Sequence, residues 1–185
     1  QLAAWQAAGL DLYLTINVSA RQIPDGLPPE RIAAKAAEYG IPPHRLGLEI
    51  TEGLLLSETG GAQNWLEAVR ARGFRAYLDD FGTGYSSLSY LKRFRVDTVK
   101  IDKAFVRDMS EISSDRVMVE AVIMMADSLE LSVVAEGIEN AGQLDILRRL
   151  GCSYGQGYHF CRPVPDDQFL AQVERIDDDA RAVAS

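Results

Sequence analysis

Cysteine and histidine are scarce: the 185 residues hold two of each. Two thiols, Cys152 and Cys161, are too few for a disulfide scaffold and suggest a reducing compartment. His44 sits in a proline loop and His159 between aromatics, so both read as structural, and no Cys/His cluster offers a zinc site. No run of about 18 apolar residues exists, so no membrane span is expected. Nothing at the N-terminus resembles a secretion signal, which leaves the glycosylation match Asn17-Val18-Ser19 empty. Cytoplasmic placement is the expectation, with any membrane anchor carried by domains outside this stretch. Positive charge is also in deficit: 19 Lys and Arg against 27 Asp and Glu give a net charge of −8. Such a chain is a poor binder of nucleic acid polymers. It can still hold a phosphate ligand if metal ions bridge the charges.

With 47% hydrophobic residues the chain can bury a core. Strand and helix patterns alternate six times. Strands are expected at Leu10–Val18, Leu46–Thr51, Phe74–Leu78, Thr98–Ile101, Ser132–Ala135 and Ser153–Tyr158. Helices are expected at Gln1–Gly9, Pro29–Tyr39, Gly61–Arg72, Ser86–Phe94, Ser114–Leu129, Asn140–Leu150 and Pro165–Ile176. The methionines Met118, Met124 and Met125 read as helix core. Residues 1–176 form one domain, and the acidic, Ala-rich segment 177–185 reads as a fraying tail.

The alternation argues for a parallel sheet of βαβ units. Each strand ends on a polar residue: Asn17, Glu49, the pair Asp79 and Asp80, Lys100, Glu136 and Gln156, spaced 20 to 36 residues apart. One polar group per strand end is the layout of a (β/α)8 barrel active site. A doubly wound sheet needs polar groups only at its switch point. The Gly82-Thr83-Gly84 turn is a poor dinucleotide fingerprint, because Ser87 takes the third position and two acids precede it. A full barrel needs eight units and about 250 residues. Six units fit here, so the fold expected is an incomplete TIM-type barrel. The chain opens on Gln1 inside a helical pattern, and the missing units are expected before it.

The stretch Tyr77–Leu91, YLDDFGTGYSSLSYL, carries the strongest chemical signal. Adjacent strand residues point to opposite faces, but at a frayed strand end Asp79 and Asp80 can both turn toward one site. Two carboxylates held close raise one pKa unless a cation neutralises them. Carboxylates, an amide and water suit Mg²⁺ or Mn²⁺. The duller readings are a helix-capping Asn17, solvated Glu49 and Glu52, a snorkelling Lys100 and a helix-start pair Glu136 and Glu139.

The segments INVSARQ (Ile16–Gln22), LEITE (Leu48–Glu52), LDDFGTGYSSLSYLKRFRVDTVKID (Leu78–Asp102), VVAEGIE (Val133–Glu139) and GCSYGQGYHFCRP (Gly151–Pro163) resemble the EAL-domain family. These bacterial phosphodiesterases linearise cyclic di-GMP to pGpG. The resemblance spans Leu10 to Pro163 and implies a modified TIM barrel whose first strand is antiparallel. It implies two Mg²⁺ or Mn²⁺ ions. Asn17 and Glu49 resemble ligands of the first ion, Asp79 the bridging ligand, and Asp80 and Glu136 ligands of the second. Lys100 is similar to the lysine that touches the nucleophilic water, with Asp102 supporting it. Glu52 resembles the glutamate that ties down the loop after the Asp pair. Glu139 and Gln156 resemble further residues lining the site. The loop Phe81–Ser89 resembles the family's dimer-linked regulatory loop.

The Glu-Ala-Leu signature, whose glutamate is a metal ligand, is absent from the sequence, and Gly53 stands where the family often has Ser. The resemblance therefore implies a cyclic di-GMP phosphodiesterase domain, with this stretch itself poorly active. The alternative is a catalytically silent cyclic di-GMP receptor or a regulatory and dimerisation module. Expected partners are cyclic di-GMP, a second copy in a homodimer or strand-exchanged oligomer, and an upstream sensory or diguanylate cyclase domain.

Overall fold

Six parallel strands lie side by side in chain order in a computed structural model of the chain. The structure describes residues 1–23, 26–56, 61–82, 91, 94–110 and 112–184. The strands are β1 (Leu14–Asn17), β2 (Leu46–Thr51), β3 (Arg75–Phe81), β4 (Thr98–Ile101), β5 (Ser132–Glu136) and β6 (Tyr154–Gln156). The helices are α1 (Leu2–Ala7), α2 (Pro29–Glu38), α3 (Glu52–Leu56), α4 (Gly61–Ala71), α5 (Lys103–Arg107), α6 (Ser114–Ser128), α7 (Ala141–Arg149) and α8 (Asp166–Ala184). This is the α/β, TIM-type barrel layout with six strands, described helices following β1, β2, β4, β5 and β6, and among the described residues the sheet is open between β1 and β6.

The middle strands are apolar because both of their faces are covered. Every residue of β4 is buried, as is all of β2 except Thr51. One core joins β2, β3 and the start of β4 to α2 and α4 through Leu48, Ile50, Leu66, Val69, Ala76 and Val99. A second joins the end of β4 and β5 to α5, α6 and α7 through Ile101, Val106, Val119, Val133 and Leu147. Val122 and Leu131 pack against both. Trp65 closes the first core and donates its indole N–H to Leu27 O at 2.6 Å. The outer strands are thinner: β1 is mostly exposed and β6 wholly so.

Several boundaries differ from the sequence expectation. Leu10–Val18 pairs only from Leu14, where the ladder to Leu46 begins. Tyr13 lies just before it, under the guanidinium groups of Arg45 and Arg75. The third strand does not stop at Leu78 but carries both aspartates and Phe81. Short helices α3 and α5 appear in stretches to which the sequence pattern assigned no element. The last helix runs Asp166–Ala184, through the segment read as a tail. Met118 and Met124 are exposed on α6, at 47% and 65%, and only Met125 of the three packs against the core. The helix expected at Ser86–Phe94 and the loop Phe81–Ser89 fall largely outside the described residues.

Candidate functional site

In parallel strands, register partners share a face. Asn17 pairs with Glu49, and Glu136 with Gln156. Asp79 falls in register with Thr51, two residues beyond Glu49 on the same face. Lys100 lies in register with Val134, two residues before Glu136. The sheet therefore turns Asn17, Glu49, Asp79, Lys100, Glu136 and Gln156 toward one side, near the C-terminal ends of the strands.

Lys100 stands at the centre of this group. Its Nζ lies 2.8 Å from Glu49 Oε2, 3.0 Å from Asp79 Oδ1 and 2.6 Å from Glu136 Oε1. One ammonium thus gathers carboxylates from β2, β3 and β5, and its side chain is only 6% exposed. Burial alone would lower the Lys100 pKa; the hydrogen bonds it donates to Glu136, Glu49 and Asp79 overcome that and raise it. Burial raises the Glu136 carboxyl, against the pull of Lys100 and with the help of the charges on Asp79 and Glu49. Both partners of one ion pair thus move upward. We assign a protonated Lys100, because one buried ammonium faces three carboxylates, and read the rise at Glu136 as the cost of burial first and of neighbouring like charges second.

The Asp pair is placed by the backbone. Leu78 pairs with Val99 and Phe81 with Ile101, so β3 spends three steps where β4 spends two. That extra residue is a β-bulge, which re-aims side chains that a regular strand would send to opposite faces. Asp80 takes φ 54°, the left-handed region that non-glycine residues seldom enter. The Asp80 N–H donates to Asp79 Oδ1 at 3.1 Å. Burial raises the Asp80 carboxyl pKa, and so do the charges of Asp79 and Asp102 and a shared hydrogen bond with Asp102. Asp102 also caps α5 by accepting from Ala104 N at 2.8 Å.

The sequence-predicted residues therefore fall into three groups. Glu49, Asp79, Lys100 and Glu136 are in direct contact. Asp80 and Asp102 sit beside them, joined to each other. Asn17 and Gln156 occupy the flanking register positions on the outer strands and are exposed. Glu52 is buried at the start of α3, while the loop it was expected to hold lies outside the described residues. Glu139 is exposed in the segment after β5. Among the described residues no three His, Cys, Asp or Glu side chains are arranged around an ion position, and the carboxylates converge on Lys100 instead.

The segment Gly137–Glu139 is wedged between α5 and the turn after β6. Ile138 is buried, its N–H donates to Gln156 O at 3.1 Å, and its carbonyl accepts from His159 N at 2.9 Å. A Cβ at Gly137 would lie 2.5 Å from Lys103 Cβ, and one at Gly157 within 2.7 Å of the Ile138 carbonyl carbon. Gln143, on α7, is a buried polar residue that the sequence analysis missed. Its signal was the helix-start spacing Asn140-x-x-Gln143.

A family model of the EAL domain matches residues 1–163. The chain is 36% identical over 174 residues to the bifunctional diguanylate cyclase/cyclic di-GMP phosphodiesterase MucR of Pseudomonas aeruginosa, covering 94% of this chain and 25% of that protein. It is 35% identical over 175 residues to the cyclic di-GMP phosphodiesterase PdeR of Escherichia coli, covering 95% and 26%. It spans about a quarter of these curated relatives. Among solved structures, the PaMucR phosphodiesterase in complex with c-di-GMP superposes with a TM-score of 0.85 at 34% identity, covering 91% of this chain and 68% of that one. The EAL domain of Mycobacterium smegmatis DcpA gives 0.85 at 35%, covering 94% and 78%. Klebsiella pneumoniae BlrP1, solved as a manganese/cy-diGMP complex, gives 0.76 at 31%, covering 87% and 41%. A match over 163 consecutive residues, with the acids of three strands gathered on one face, places this chain in the EAL domain family.

Proposed function

We propose that this chain carries the carboxylate–lysine centre of a metal-dependent phosphodiesterase domain that opens cyclic di-GMP to pGpG. The observation that carries the reading is the convergence of Glu49, Asp79 and Glu136 on the buried Lys100. Four carboxylates, counting Asp80, outnumber one ammonium, so the site keeps a negative surplus that a divalent cation relieves. All of the donors are oxygens, which fits Mg²⁺ or Mn²⁺. BlrP1 was solved with manganese and with calcium alongside cyclic di-GMP, and MucR with c-di-GMP.

In this reading Asn17, Glu49, Asp79, Asp80 and Glu136 hold two cations. When bound, they would polarise the phosphodiester and lower the pKa of a water. Lys100 supplies a fixed positive charge that holds that water or its hydroxide. Asp102 steadies Asp80 and the start of α5. Glu52 supports the segment after the Asp pair, and Glu139 and Gln156 border the substrate. The chain works in the cytoplasm, with a second copy and with sensory or cyclase domains of a longer protein.

The test is to incubate the chain with cyclic di-GMP and Mn²⁺ and follow pGpG by chromatography. Slow turnover is expected. Asp79→Asn should slow it at least about 100-fold, the scale of losing a group that stabilises the transition state directly. Cyclic di-GMP binding with no product would overturn the enzyme reading in favour of a receptor, and an unchanged Asp79→Asn rate would remove Asp79 from the site.

A further inference from the structure

Gln143 lies at the third position of α7, on the face it shares with the buried Ile146 and Leu147, and is only 5% exposed. All four hydrogen-bonding positions of its amide are used. Its Oε1 accepts from Glu139 N at 2.7 Å and from Asn140 N at 3.2 Å. Its Nε2 donates to Val106 O and Arg107 O, both at 3.1 Å. Those carbonyls end α5, where a helix has acceptors left over. One side chain therefore caps the start of α7 and the end of α5 together.

Capping alone does not demand this residue. A helix-start box accepts Glu as readily as Gln. A glutamate here would turn an oxygen toward two carbonyls, and only an amide satisfies both sides. The two segments it ties lead directly into the cluster. Glu139 is three residues after Glu136. The α5 helix begins at Lys103, behind its cap Asp102 and three residues after Lys100. Lys103 in turn packs on Gly137. The amide thus closes a loop of contacts whose far side is the Glu136–Lys100 ion pair at 2.6 Å.

We propose that Gln143 is a positioning residue for the carboxylate–lysine centre: by tying the segment after β5 to the end of α5, it fixes where Glu136 meets Lys100. As a role toward bound metal, it rests on the function proposed above. As a role in placing Lys100, it stands without it.

The test compares Gln143→Met, which keeps the bulk and loses all four hydrogen bonds, with Gln143→Glu, which keeps the acceptor side. Val69→Ala, in the core of α4 away from the site, controls for lost stability. Two readouts are taken on the full chain: Mn²⁺ affinity by electron paramagnetic resonance, and the Lys100 ammonium signal by proton–nitrogen NMR without metal. Gln143→Met is expected to weaken Mn²⁺ binding about 10- to 100-fold, as other groups that orient ligands do, and to shift or broaden the Lys100 signal. Gln143→Glu should fall between it and wild type, and Val69→Ala should leave both readouts in place. If Gln143→Met does not fold, Gln143→Glu decides on the same readouts. A folded variant with Mn²⁺ affinity within twofold of wild type and an unmoved Lys100 signal overturns the proposal. If wild type binds no Mn²⁺, the metal reading above fails by itself, and the Lys100 signal alone decides for or against Gln143.

Discussion

Lys100 shows how one residue can set the character of a site. Removing it by Lys100→Met leaves Glu49, Asp79 and Glu136 buried against each other with no counter-charge. Breaking a buried pair from one side costs about 3–5 kcal/mol. We expect a loss on that scale in metal-free chemical denaturation, and we expect Mn²⁺ to restore more stability to the variant than to wild type. The pH dependence has a definite sign. Lys100 is raised in the fold, so its contribution is complete below its ordinary value of 10.5 and is lost as the pH climbs through the folded value. The gap between wild type and variant therefore persists at neutral pH and closes only in strong alkali. It also narrows in acid, where the crowded carboxylates of the variant protonate. This residue was legible in the sequence as a polar position in an apolar strand, TVKI. Its partners could be named but not its contacts, since a lysine arm that reaches two strands away leaves no local pattern.

At the scale of elements, the turns decide more than the strands. Gly157 accepts the Ile138 backbone where a side chain would stand, and that backbone is held by hydrogen bonds at both ends. Gly157→Ala should cost on the order of 3 kcal/mol in a denaturation series, the upper range for overpacking a rigid site. Gly53→Ala is the contrasting case: it lies in α3, has no atom of the described residues packed within 4 Å of a new Cβ, and should gain up to about 1 kcal/mol. The strands were legible because buried parallel strands are continuous apolar runs closed by polar residues. Two things were not. Leu10–Tyr13 has strand-like residues but, among the described residues, no strand partner at its level, and propensity cannot count partners. The Asp pair looked like a frayed end, whereas the extra step in β3 places it; adjacent aspartates read the same either way. The spacing of Gln143 signals a helix start, but not the carbonyls of Val106 and Arg107 that it also reaches.

For the molecule as a whole, the open sheet is the controlling feature. Among the described residues, β1 and β6 each have one strand neighbour, and Ile16, Tyr154 and Tyr158 stand exposed along or beside them at 42%, 54% and 57%. The first and last helices meet where Trp5 stacks on Phe169 at 4.2 Å, but among the described residues the outer edges of β1 and β6 pair with no further strand. Such edges recruit other chains. We expect light scattering to report dimers or larger species at high concentration, and Ile16→Lys to reduce them; a wild-type chain that stays monomeric would contradict this. The parallel sheet was legible from alternation, and the barrel layout from the polar residue that closes each strand, which a doubly wound sheet does not need. The common direction of the strands also divides the molecule into a busy rim and a quiet one. The turn through Glu130 lies four residues before Val134, the register partner of Lys100, which is roughly 13 Å along an extended strand. Peptide tags or fluorophores grafted onto that turn can report on the protein while leaving its chemistry alone.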